Sequence, residues 1–314
     1  MFSRRPPPPN LRLYDKGRAL CYNIGDTRGE RFVKIIRYLN AGREVRYAAH
    51  RPDGFLYDLT GDPYANSEEG RRVTDRRADI RRLLTPVAPA AIIGLGINYK
   101  RRPVLKDVPA PEQPAAFGKT LASARDPGSA LYLPSFPNPD ALDYEGQLAV
   151  IIGRACKGAR PDQALGFVLG YTAAWDVADP TWQRTRGGGR WTGGEEGAGL
   201  DTFCPIGPCL VTPDEIPRPD ALRITTTLTD ILGDCQIIQE RSTGDMLFRV
   251  AALIAFLSAD ITLLPGTIIL TGAPHPADTD RQPPRPPRPL RRGDMLTVAI
   301  EKVGALSIPV RTDA

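Results

Sequence analysis

Apolar and polar positions alternate along this chain in short runs, and few runs hold a helical period. Residues 32–39, 45–48 and 55–59 are three β-prone runs, separated by Asn40-Ala41-Gly42 and Pro52-Asp53-Gly54. Such turn sequences bring neighbouring strands together as antiparallel hairpins. Residues 66–85 are polar and Arg-rich, which predicts a surface helix. Residues 91–96, 147–153 and 267–272 are nearly unbroken apolar runs, the pattern of strands buried on both faces. Residues 160–170 suit a short helix leading into a strand over 170–175. Residues 222–228 alternate as a half-buried strand does, and residues 295–300 open a terminal strand pair. The clearest helix is expected from about Gly244 to Ser258, where Met246, Val250, Leu253, Ile254 and Leu257 recur at three- and four-residue spacings and share one face. The pattern predicts a strand-rich α+β protein in three parts. These are an extension over 1–31, stretched by Pro6 to Pro9; a small N-terminal β domain over 32–90; and a main domain over 91–314.

Composition narrows the function classes. The 314 residues are 41% apolar and 25% charged, ordinary for a globular chain able to bury a large core. The net charge of +5 comes from Arg scattered through the sequence. No helix-turn-helix, zinc-finger spacing or RNA-binding aromatic motif accompanies it, so no nucleic-acid partner is expected. Cys21, Cys156, Cys204, Cys209 and Cys235 are odd in number and irregular in spacing, which predicts free thiols in a reducing compartment. No run reaches the roughly 18 apolar residues of a membrane span, and the start lacks a secretory apolar stretch. A cytoplasmic location and no membrane partner are therefore expected. The Gly-rich residues 184–200 and the segment 100–115 are either candidate lids or disordered stretches without function.

Several separated segments carry a resemblance. Gly94-Leu95-Gly96-Ile97-Asn98-Tyr99, then Asp143-Tyr144-Glu145-Gly146-Gln147-Leu148, then Gly170-Tyr171-Thr172 with Asp176, Asp201-Thr202-Phe203, Asp245-Met246-Leu247-Phe248, and Leu264-Pro265-Gly266 leading to Thr271-Gly272 follow one another in order. Together they resemble the fumarylacetoacetate hydrolase superfamily over most of residues 91–311. That resemblance implies a mixed β-sandwich or β-roll main domain, a homodimer, and a small-molecule substrate of the dicarbonyl type. It also implies a divalent cation, Mg²⁺ or Mn²⁺, held by two Glu in an E-x-E strand and a distant Asp, because alternate strand residues share a face.

By the same resemblance the metal positions are Glu145, Gln147 and Asp176. A neutral Gln147 stands where the family has its second Glu, so the metal is expected to bind weakly or not at all. The position of the water-activating His is Arg102, which stays protonated and cannot act as that base. His275, beside Thr271 and Gly272, is the only His near the implied pocket, and is either an ordinary loop residue or an alternative acid–base. The usual active-site Lys is Ala198, the Arg after the metal Asp is Pro180, and the second Thr of the T-G-T motif is Ala273. Lys119, Tyr99, Gln183, Thr271 and Gly272 keep family positions. These changes argue against C–C hydrolysis. The leading expectation is an enzyme of lyase or isomerase type, performing tautomerisation, decarboxylation, dehydration or cyclisation. Glu145, His275 and Lys119 are its candidate catalytic residues, and Arg102, Tyr99, Gln183, Thr271 and Gly272 its candidate substrate contacts. The alternatives are a metal-dependent 2-oxo acid decarboxylase or C–C hydrolase, and a non-catalytic scaffold.

Overall fold

The structure, a computed structural model, describes residues 14–15, 18–19, 34–51, 53–64, 71–100, 110–133, 142–179, 199–274 and 288–312. Near the start, β1 (Tyr14–Asp15) pairs with β2 (Arg18–Ala19). The expected hairpins form as β3 (Lys34–Leu39), β4 (Val45–His50) and β5 (Leu56–Gly61), each antiparallel to the next. They continue into β6 (Arg71–Arg77), with β7 (Arg82–Leu84) paired to β3.

The helix expected over 66–85 is therefore not there, since β6 and β7 occupy residues 71–77 and 82–84. Polarity marked the segment as exposed but did not set its period. An edge strand is polar on both faces, and β6 gains a ready-made partner in β5, with Leu59 opposite Val73. The Arg77 guanidinium also lies 3.7 Å from the centre of the Phe55 ring, so its charge covers apolar surface.

The rest of the chain supplies β8 (Ala91–Leu95), β9 (Ala116–Lys119), β10 (Ala124–Arg125), β11 (Leu131–Leu133), β12 (Asp143–Ile152), β13 (Val168–Ala178), β14 (Cys204–Val211), β15 (Arg223–Thr229), β16 (Cys235–Ser242), β17 (Thr267–Leu270), β18 (Met295–Ile300) and β19 (Gly304–Thr312). The large mixed sheet runs β6-β5-β4-β3-β14-β13-β12-β17-β8-β9, with β7 and β10 joined at its side. A second sheet runs β11-β19-β18-β15-β16. Leu148, Val150 and Ile152 of β12 reach the larger core cluster together with Leu296, Val298 and Leu306 of the second sheet, while Ala149 and Ile151 point the other way into a smaller cluster.

The two sheets approach closely at Gly146. A Cβ there would lie 2.2 Å from Thr226 Cγ2 and 2.8 Å from Val298 Cγ2. Contact with the second sheet thus demands glycine between Glu145 and Gln147, and strand alternation turns both neighbours to the opposite face. Gly146→Val is expected to lower stability by roughly 1–3 kcal/mol through overpacking, read as a lower urea midpoint at unchanged slope.

The long helix spans Val250–Asp260 and buries Val250, Leu253, Ile254, Leu257 and Ser258, the face that the spacing predicts. It starts later than residue 244 because the preceding backbone is taken by the segment around Asn98. Lys100 N donates to Asp245 O at 2.9 Å, Leu247 N to Asn98 O at 2.7 Å, and Phe248 N to Asn98 Oδ1 at 2.9 Å. Among the described residues no helix is long and apolar enough to cross a membrane. Cys156, Cys204, Cys209 and Cys235 are free thiols, and Cys21 lies outside the described residues.

Candidate active site

Glu145 on β12 stands directly opposite Asp176 on β13, with Gln147 two residues along the same face. Two carboxylates opposed across a ladder repel one another, and two neighbours offset this. Gln147 Nε2 donates to Glu145 Oε2 and to Asp176 Oδ2, each at 3.2 Å. Lys119 Nζ lies 2.5 Å from Asp176 Oδ1, and the lysine side chain is 0% exposed. The same ammonium donates to Val177 O at 3.3 Å. Lys119 is brought there by β9, whose pairing sets it opposite Ile92 of β8.

Above this face lies a cavity of about 160 Å³, lined by Leu95, Gly96, Ile97, Asn98, Tyr99, Asp143, Glu145, Asp176, Ala178 and Ala273. Its floor is one face of two strands: Asp143 pairs with Ala178 and Glu145 with Asp176. Its wall is the turn that follows β8, fixed by Asn98. The Asn98 amide donates to Thr271 O at 2.7 Å and Phe248 O at 3.1 Å, holding three chain segments together. Tyr99 is 1% exposed, and its buried hydroxyl lies beside Thr271 without a hydrogen bond of good geometry. Burial pushes this phenol well above its ordinary range, so it remains a donor at any working pH.

The other expected contacts are placed differently. Thr271 is fully buried and its Oγ1 donates to Leu148 O at 2.9 Å. Gly272 has φ +79, and a Cβ there would come within 3.0 Å of Asn98 Cβ and 3.1 Å of Gly96 O. Both residues support the wall, and it is their neighbour Ala273 that lines the cavity. Lys119 sits behind Asp176 and is not among the lining residues. Arg102, Gln183 and His275 lie outside the described residues, as do Pro180 and Ala198. Asp143 lines the cavity and was missed by the motif reading, although its place two residues before Glu145 was signal enough.

The three metal positions can be tested as an oxygen cage. Gln147 Oε1 accepts from Gly272 N at 2.9 Å, which turns the carbonyl away from the carboxylates and points the NH₂ group between them. An N–H donor offers no lone pair to a hard cation. Two of the three side chains therefore present oxygen to the shared space and the third presents protons, so these residues as arranged do not fit the family's cation.

A family model described as fumarylacetoacetate (FAA) hydrolase C-terminal matches residues 91–311. The chain belongs to the fumarylacetoacetate hydrolase family. Within it, the chain is 37% identical over 229 residues to the Xenopus laevis protein named oxaloacetate tautomerase fahd2, mitochondrial, covering 73% of this chain and 68% of that one. It is 34% identical over 230 residues to human oxaloacetate tautomerase FAHD2A, mitochondrial, covering 73% and 69%. Among solved structures it resembles 2-hydroxyhepta-2,4-diene-1,7-dioate isomerase from Mycobacterium marinum, with TM-score 0.72, 28% identity, and coverage of 90% and 99%. Similar again is 5-carboxymethyl-2-hydroxymuconate delta-isomerase from Mycobacterium smegmatis, with TM-score 0.71, 29% identity, and coverage of 89% and 100%. The strand-rich mixed-sheet architecture expected of the family is thus the one observed.

Proposed function

We propose that this family member is a tautomerase that interconverts the keto and enol forms of a small 2-oxo dicarboxylate such as oxaloacetate. The observation that carries the reading is that Glu145 and Tyr99 line one small cavity, with the Tyr99 hydroxyl buried beside Thr271 and held protonated by that burial. Keto–enol exchange needs a base at carbon and a donor at oxygen, and it needs no attacking water. No described His lines the cavity to activate one. The names of the frog and human relatives support the same reaction class.

In this mechanism Glu145 takes the proton from the carbon next to the carbonyl. The Tyr99 hydroxyl donates to the oxygen as negative charge develops there, a preorganised contact that is stronger in the transition state than before it. The proton then reaches that oxygen, which completes the shift from carbon. Arg102, three residues beyond Tyr99 in sequence, is assigned to a substrate carboxylate; its fork of N–H groups suits one. Lys119 holds Asp176 in place and does not meet substrate. A family cation would supply Lewis-acid polarisation, but the donors present do not fit one. Residues 32–90 are taken as a small N-terminal domain and 91–314 as the main one. Family membership supports a homodimer, which the particle mass in solution would read.

The test is an ultraviolet assay of enol consumption with oxaloacetate. Wild type is expected to accelerate the exchange, and no acceleration over buffer would reject the reading. Tyr99→Phe is expected to lower kcat by about 10²-fold, as loss of an oxyanion donor does. It removes a buried unsatisfied hydroxyl, so thermal stability should hold or rise. An unchanged kcat would remove Tyr99 from the mechanism.

A further inference from the structure

We infer that the Gln147 amide takes the place of the divalent cation, so that the chain's own N–H groups bridge the Glu145 and Asp176 carboxylates. The geometry leaves the amide one orientation. Flipping Gln147 would set its NH₂ against the Gly272 N–H, two donors facing each other across the 2.9 Å contact. Gly272 cannot yield readily, because Asn98 and Gly96 close around it at 3.0 and 3.1 Å. Both amide protons then have one natural use, a carboxylate each, and Gln147 is 0% exposed. On the far side the Lys119 ammonium, at a position the family keeps, holds Asp176 with no solvent access to its side chain.

A cation entering between Glu145 and Asp176 would have to displace the Gln147 NH₂ group and would find a neutral amide in place of a third carboxylate. Hard cations take six or more oxygen ligands and favour charged ones, so each feature works against binding. The exchange of a metal for an amide also changes the chemistry available. A bound Lewis acid would polarise a substrate carbonyl oxygen. A carboxylate pair bridged by an amide leaves the proton transfer to Glu145 and the oxygen to the Tyr99 donor.

The experiment is a Mn²⁺ titration of the metal-stripped full chain, followed by electron paramagnetic resonance of the free ion, on wild type and Gln147→Glu. Keto–enol activity is measured in parallel with and without EDTA. Wild type is expected to show no one-to-one site in the micromolar range. Gln147→Glu, with a third carboxylate in place of the amide, is expected to bind one Mn²⁺ per chain at least 100-fold more tightly, by the preference of hard cations for charged oxygen. A micromolar one-to-one site in wild type overturns the inference without need of any variant. So does activity lost to EDTA and restored by Mn²⁺. A folded Gln147→Glu, with wild-type circular dichroism and no gain in affinity, also overturns it. Absence of activity under every condition would reject the tautomerase reading and leave the binding result standing alone.

Discussion

Glu145→Gln is expected to lower kcat for keto–enol exchange by about 10²–10⁴-fold, the usual contribution of a positioned general base. The replacement has nearly the same shape, and its carbonyl oxygen can still accept from Gln147 Nε2, which now donates to Glu145 at 3.2 Å. What disappears is the basic lone pair and one negative charge. That charge faces Asp176 across the β12–β13 ladder, so its removal relieves a like-charge contact. Melting temperature should therefore hold or rise while kcat collapses and KM moves little. A structural role for Glu145 would give the opposite pairing, a lower melting temperature with kcat preserved. If kcat stays within threefold of wild type, the base is not Glu145. Asp143, which lines the same cavity on the same strand face, is then the residue to exchange.

Much of this site was legible in the sequence because it is written in strand period. The spacing Glu145, Gln147 puts two side chains on one face whatever the rest of the fold does, and the neighbouring strand brings Asp176 into register. The same rule applied one step earlier would have added Asp143. The reason for the glycine between them was not legible: Gly146 is fixed by Thr226 and Val298, which come from strands 80 and more residues later, and no local pattern announces that contact. Asn98 shows the same limit. Its motif position marked it, but its task is to tie residues 248 and 271 to the cavity wall. That tie also displaced the expected start of the helix, since helical period cannot foresee backbone donors taken by a distant segment. The orientation of the Gln147 amide was beyond reach for a related reason. It depends on one N–H, that of Gly272, whose direction is set by a positive φ and by packing against the turn at 96–98.

The largest stability effect is expected at Lys119. Its ammonium is wholly buried against Asp176, itself only 8% exposed. Lys119→Met keeps most of the apolar stem but leaves a buried carboxylate without its cation, beside Glu145. Breaking such a pair from one side costs about 3–5 kcal/mol, because the remaining charge is desolvated and uncompensated. The loss should be read as a lower urea midpoint with an unchanged slope, which distinguishes lower stability from a changed unfolded state. Lys119→Met combined with Asp176→Asn removes both charges and should recover much of the difference, since the residues touch and their effects cannot add. Recovery in the double variant would show that the lysine acts by neutralising Asp176. If the double variant is no more stable than Lys119→Met alone, the lysine matters for packing rather than charge.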